Sequence, residues 1–457
     1  MSEQELINTA VPKPRKLSLA FLLALNFSQL GLQIGYAVEF AFLMPFLRNH
    51  LNLSELVSSL VFLAGPLSGF IVNPMMGALS DKCKASWGRR RPFILAGSLI
   101  TSFSLITVGC TYPFASHYLS HLAAVIIVVA GLWFLNIGLN TLQTPSRALV
   151  TDVVSRLSHD SATEQTRAQS VCGLCVSSAQ VVTNFLIFQS NKEEQETLLS
   201  VTLTDFETTM LLVFSASAIG VIFVSIPSFI VGKEKPIKKD NTEGDSQSGF
   251  MVMLNQLITA IKKSTPSVRL LGLVFLLSWA GFFPFQVLIT EAIGMKKGSF
   301  ALTLMSIGSF IMSVGCPLLT KLFGHKVLYS LAQLLGAAGL IIPYFFTHDY
   351  LHYGSFVAVG LSFCAINVLP FDILPLIVKK DTGTYYALLN AGCVLAQMFV
   401  LGSSSVVQSY FKVDELFVIF SYSAFLIIAA ILVLFMKIKS TALNSEVEGA
   451  DYLLLPE

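Results

Sequence analysis

The chain has 457 residues, of which 54% are hydrophobic and 12% charged, with a formal net charge of +2. Its mean hydropathy is +0.71. Soluble domains have about a quarter of their residues charged, so this composition excludes a water-soluble fold, requires lipid as the solvent and gives no sign of a nucleic-acid partner.

A spanning helix needs roughly 20 apolar residues. By that criterion twelve segments qualify, at 18–47, 56–79, 92–112, 121–149, 168–190, 208–231, 269–293, 299–320, 327–346, 353–378, 384–408 and 413–436. They predict an all-α membrane protein of twelve transmembrane helices in two pseudo-symmetric six-helix bundles, 18–231 and 268–437. Residues 1–17 and 438–457 form the two ends. The one long polar break, 232–267, joins the bundles; its second part, from Phe250 to Lys263, has the pattern of an amphipathic surface helix. The apolar run from Leu17 is too long for a cleavable signal peptide and lacks a small-residue cleavage site. With the N-terminus cytoplasmic, 24 of the 29 Lys and Arg fall on the cytoplasmic side. Only Arg48, Lys192, Lys296, Lys297 and Lys412 fall outside, an asymmetry that sets the orientation and puts both termini in the cytoplasm.

In chain order, the first span carries a stripe of Asn26, Gln29, Gln33 and Tyr36, with Gly31 and Gly35 opposite it for close packing and Glu39 in its outer half. After the second span comes "GALSDKCKASWGRRRPFI". Arg89, Arg90 and Arg91 satisfy the topology rule, but topology needs neither Gly77, which permits close helix contact, nor Asp81. Asp81 can accept charge-assisted bonds from an Arg or a helix N-terminus. With Gly88 they read as a cytoplasmic gate motif. On the fourth span Asn136, Asn140, Gln143 and Arg147 follow i, i+4, i+7, i+11 and share one face. Such a stripe lines an aqueous cavity, the alternative being hydrogen-bonded glue between helices. Asp152 ends that span.

Arg147, and Arg167 at the start of the fifth span, are the expected charge partners of the membrane acids. The fifth span holds Ser177, Gln180 and Asn184; its Cys172-x-x-Cys175 reads as packing, not metal or redox chemistry. "CPLLTKLFGHK" after the eighth span echoes the turn after the second, with Thr320-Lys321 matching Asp81-Lys82 and Gly324-His325 matching Gly88-Arg89. Duplication of a six-helix unit is the mark of a transporter that rocks two halves around a central site.

The seventh span carries Trp279 and Phe283, one helical turn apart, then Gln286, Thr290 and Glu291 near its outer end. The tenth holds Asp372 between Pro370 and Pro375, and the eleventh a fourth stripe of Tyr386, Asn390 and Gln397. Amides donate and accept, which suits a polyhydroxyl ligand, and ring faces suit the C–H faces of a sugar. The substrate-binding candidates are thus Gln33, Asn136, Asn140, Gln143, Arg147, Gln180, Asn184, Trp279, Phe283, Asn390 and Gln397. All seven His lie in loops or at span ends, which leaves the carboxylates Glu39, Asp152, Glu291 and Asp372 as proton-coupling candidates. No nucleophile–base pair or metal-ligand cluster appears at one membrane depth, so no enzyme activity, metal or cofactor is expected beyond the proton as coupling ion.

Gly77-x-x-x-Asp81-Lys82 with Gly88-Arg89-Arg90-Arg91-Pro92 resembles the loop signature of the major facilitator superfamily. The five residues between Lys82 and Gly88, and the run "GRRRPFI", resemble more particularly the plant sucrose transporters and the animal proton-associated sugar transporters. "GYAVEFAFLMPFL", "NTLQTPSRALVTD", "LLSWAGFFPFQVLITEAIG" and "LNAGCVLAQM" are similar to the same family, over nearly all twelve spans. Two departures stand out. Ile289-Thr290-Glu291 replaces an Asp-Thr-Asp of the plant members, and Asp372 has no family counterpart.

The resemblance implies proton-coupled symport of a sugar, sucrose or another disaccharide, glucoside or hexose, with Glu39 and Asp152 as coupling acids and Glu291 as a conservative replacement for a family acid. A non-transporting sugar sensor or scaffold on the same fold is the alternative, as is carriage of a different small polar solute. A sensor would be expected to carry a large cytoplasmic domain. Tyr452-x-x-Leu455 in the tail has the form read by sorting adaptors, so the plasma membrane and an endosomal or lysosomal membrane are both open.

Overall fold

The computed structural model describes residues 17–118, 120–157, 161–190, 196–198, 201–203, 205–234, 255, 258–259, 261–378 and 382–437. Most of 250–263, and Tyr452 to Leu455, lie outside them. Twelve of the helices are long and apolar enough to cross a membrane. The first span is Leu19–Pro45, prolonged by a π-turn, Phe46–His50, and the second is a broken helix, Glu55–Phe62 and Ala64–Lys82. The others are Arg91–Tyr118, His121–Leu157, Ser161–Ser190, Asp205–Val231, Pro266–Ala292, Met295–Phe323, His325–Phe345, Asp349–Ile377, Thr382–Phe411 and Glu415–Leu434.

Local sequence explains the starts. Ser18, Ser54, Thr265 and Asp414 each accept a hydrogen bond from the backbone N–H three residues on, satisfying donors that a helix leaves open. Pro266 then takes the first turn of the seventh span, where its missing N–H costs nothing. The fourth helix runs to Leu157 instead of stopping near residue 149, because its last turns are polar on one side and leave the apolar layer without unwinding. An unanticipated feature is a small antiparallel hairpin, β1 (Glu196–Leu198) paired with β2 (Val201–Leu203), between the fifth and sixth spans.

Within the first six spans the third packs on the fourth and sixth, the first on the fifth and sixth, and the second on the fourth. Among the last six, the ninth packs on the tenth and twelfth, the seventh on the twelfth, and the eighth on the tenth. The eighth and tenth cross at Gly308 and Gly360, whose missing Cβ positions are filled by backbone of Val357 and Met305. The two sets meet where the fifth span lies on the eighth, the first on the seventh, and the second on the eleventh. The tight turns after the second and eighth spans both turn on glycines of positive φ, Gly88 at 127° and Gly324 at 75°, conformations that side chains with a Cβ resist.

Candidate functional site

Glu39 and Asn136 are both buried, and Asn136 Nδ2 donates to Glu39 Oε1 at 2.7 Å. This bond joins the stripes of the first and fourth spans. Asn140 Nδ2 donates to Ser68 Oγ at 2.8 Å, while its Oδ1 accepts from Asn73 Nδ2 at 2.8 Å. Asn73 also donates to Gln143 Oε1 at 3.3 Å and accepts from Thr144 Oγ1 at 2.9 Å. Asn140 is therefore spent on holding the second span to the fourth. Asn73 and Ser68 organise this network, and sequence reading passed over both. The only signal was one amide in the apolar run "FIVNPMM".

Groups with spare capacity lie on the first, fourth, fifth and seventh spans. Gln180 Nε2 donates to Gln33 Oε1 at 3.0 Å, and Asn184 Nδ2 to Ser306 Oγ at 3.3 Å, the latter across the halves. Gln180 Oε1, Asn184 Oδ1, Asn136 Oδ1, Trp279 Nε1 and both amide atoms of Gln29 are buried without a partner among the described residues. Buried polar atoms rarely go unpaired, so each of these five side chains is a place where a polar ligand or water would gain a bond. Trp279 stands edge-on to Phe275, Phe282 and Phe363. Phe283 instead packs with Phe40 and Phe62 of the first half, centroids 6.3 and 6.4 Å away. Asn390 is exposed and Gln397 half-buried. By spacing they share a face with Cys393, which lies within electrostatic range of Tyr36. The side chain of Tyr386 lies outside the described residues.

The expected pairing of Arg147 with Asp152 is replaced by another. Five residues turn a helix by about 500°, leaving these two about 140° apart. Arg147 is exposed and makes no ion pair or side-chain hydrogen bond among the described residues; it lies within electrostatic range of Tyr36 and Cys172. Arg167 pairs with Glu164 of its own first turn at 2.5 Å. Asp152 Oδ2 instead accepts from Arg89 at 2.8 Å and Arg90 at 3.1 Å.

Arg90, its side chain 7% exposed, also donates to Asp81 and to Ser80 Oγ, and its backbone N–H donates to Glu234 at 2.8 Å. Glu234 occupies the space that a Cβ on Gly88 would need, so the glycine admits an acid from the linker to the motif. Arg91 Nε donates to Gly232 O at 2.9 Å and lies over the Phe229 ring. Gly77 borders Thr144 of the fourth span. Glu234, the one acid in "GKEKP", was missed because a lone charge in a polar linker reads as solvated.

Of the remaining acids, Glu291 lies at the rim away from the linker, half-buried, accepting from Asn49 Nδ2 at 3.4 Å. Asp372 is exposed, without an ion pair among the described residues, in electrostatic range of His325, Cys316 and Cys364.

A family model described as MFS/sugar transport protein matches residues 23–411. A general alpha-glucoside permease of Schizosaccharomyces pombe is 27% identical, with the match covering 66% of this chain and 56% of the permease. The sucrose transport protein SUC4 of Arabidopsis thaliana is 26% identical over 83% of this chain and 79% of that protein. The rice sucrose transport protein SUT4 is 37% identical, but over 30% of this chain and 24% of its own. Among solved structures, the inward open xylose transporter XylE from E. coli superposes with a TM-score of 0.66 at 14% identity, covering 94% of this chain and 99% of that one. These relatives are transporters and permeases, not enzymes.

Proposed function

The chain belongs to the MFS/sugar transport protein family, and from that premise we propose that it is a secondary active transporter which carries a sugar with protons by alternating access. The sugar is sucrose, another disaccharide or glucoside, or a hexose. The observation that carries this reading is Glu39, a buried acid with no cation beside it among the described residues, bonded to Asn136 on the wall of the polar tract. Because Oε1 accepts from Asn136, Oε2 is the atom that takes and releases the proton. Loading the proton neutralises a charge that is costly at membrane depth, and the neutral, loaded form is the one suited to crossing with the sugar.

Gln33, Gln180, Asn184, Asn390 and Gln397 offer amides from both halves, Trp279 a ring face and an unpaired N–H, and Arg147 an uncommitted guanidinium. Glu291, Asp152 and Asp372 have rim or linker-face surroundings and serve gating better than central proton carriage. The face bearing the linker is the cytoplasmic one, with both termini on it.

Proteoliposomes holding the protein should accumulate labelled disaccharide or hexose when the lumen is alkaline relative to the bath. Absence of uptake over a panel of sugars by folded protein sinks the substrate assignment. Microscopy of the tagged protein with and without Tyr452→Ala separates a plasma-membrane site from an endosomal or lysosomal one.

A further inference from the structure

Arg48 is a positive charge on the sparse side of the topology pattern, so orientation does not account for it. It sits in the π-turn Phe46–His50 that ends the first span. Such turns recur at functional sites because the extra residue redirects side chains. Here three successive residues reach three different places. Arg48 Nη1 donates to Glu415 Oε1 at 2.8 Å and Nη2 to Gln408 Oε1 at 2.9 Å. Asn49 donates to Glu291, and the His50 ring stacks on Phe206 with centroids 3.7 Å apart. One turn of the first half thereby grips the twelfth, eleventh and seventh spans of the second while lying against its own sixth.

Gln408 Nε2 donates to Glu415 Oε1 at 3.0 Å, closing a triangle around the guanidinium. Glu291 lies within electrostatic range of both Arg48 and Glu415. The Arg48 side chain is 8% exposed, so this is no solvated surface pair of small worth. The neighbouring cross-half ties are weaker in kind: Ser405 donates to Ser59, Ser409 to Glu55, and Phe283 packs on Phe40 and Phe62.

We propose that Arg48, seated between Glu415 and Gln408, is the latch of the gate on the face away from the linker, breaking when that face opens and reforming when it shuts. The proposal rests on the alternating-access reading. A guanidinium withdrawn from water must be paired while the gate is shut, since an unpaired buried charge is strongly unfavourable. Opening gives each partner water in exchange, which makes the contact reversible.

The test uses the full-length chain with Ser405→Cys as reporter, in sealed vesicles, with a membrane-impermeant maleimide added to the far face. With the native latch, labelling of residue 405 should be slow and should change when a transported sugar is added. Arg48→Gln should raise the rate several-fold. Glu415→Gln, nearly isosteric, should do the same and keeps the test open if Arg48→Gln does not fold. The reversed pair Arg48→Glu/Glu415→Arg should return the rate toward that of the native latch. Native rates in both single variants, or a reversed pair that labels as fast as Arg48→Glu alone, overturn the latch. Labelling that ignores sugar in the native-latch protein, with Arg48→Gln still faster, overturns the alternating-access reading and leaves the latch standing.

Discussion

At the scale of single residues, the bond between Glu39 and Asn136 makes the sharpest demand. Glu39→Gln preserves size and the acceptor oxygen, but cannot release a proton. We expect it to abolish accumulation driven by a pH gradient while leaving sugar exchange at equal pH measurable in the same vesicles. Unchanged accumulation would remove Glu39 from the coupling role. Asn136→Leu should weaken the fold by about 1–3 kcal/mol, because it leaves a buried acceptor unpaired; thermal unfolding of the purified protein reads this directly.

Both residues were legible in the sequence as polar positions on apolar helices. Their partnership was not, since spacing along one helix tells which residues share a face and not which helix that face meets. The same limit explains Asn140, which reads as a cavity residue by periodicity and is occupied by Ser68 and Asn73. It also explains Arg147, whose nearest acid in sequence lies on another side of the helix.

Between elements, two features decide how the helices are held. Gly308 and Gly360 let the eighth and tenth spans touch backbone to backbone. Gly360→Ala should therefore lower the yield of folded protein sharply, whereas Gly173→Ala, with open space at its missing Cβ, should not. Size-exclusion profiles of the two variants compare the effects.

The other feature is the Arg90 cluster. Removing a nearly buried guanidinium takes charge-assisted bonds from Asp152 and Asp81 and should cost about 1.5–3 kcal/mol, so Arg90→Ala should melt well below the unaltered protein. Asp81→Asn should cost no more than about 1 kcal/mol, since that side chain is 58% exposed. Equal melting of the two would show that burial does not govern the cluster. The charged cluster around Arg90 was recognisable from its residues alone. The acid that completes it, Glu234, comes from 144 positions away from its bonded partner Arg90, and a local pattern has no means of announcing that.

Over the whole molecule, the twelve spans were readable because lipid leaves a chain few choices. Each crossing needs its own run of apolar residues and its own complete set of backbone bonds. Which rim ties the halves together was not readable, since contacts between halves leave no mark on the apolar pattern of either. Hydrogen bonds between membrane helices average about 0.6 kcal/mol; among the described residues, those that tie the halves near the far rim, together with the Arg48–Glu415 ion pair, amount to a few kcal/mol. That is the range over which ligand binding shifts a two-state equilibrium, as the proposed alternating access requires of these contacts. The halves should also find each other without a continuous chain. Fragments 1–240 and 250–457, expressed together, should recover sugar uptake, because Glu234 carries the linker contact into the first fragment; co-purification and uptake check this.

The turn glycines Gly88 and Gly324 are followed by matching staples. Arg91 donates to Gly232 O just beyond the sixth span, and Lys326 donates to Leu434 O and Met436 O at the end of the twelfth. In each half the third helix is thus riveted at its base to the last. A shell fastened from its middle to its final stave resists fanning apart, so under the proposed alternating access the movement falls at the seam, and each half turns as a solid block.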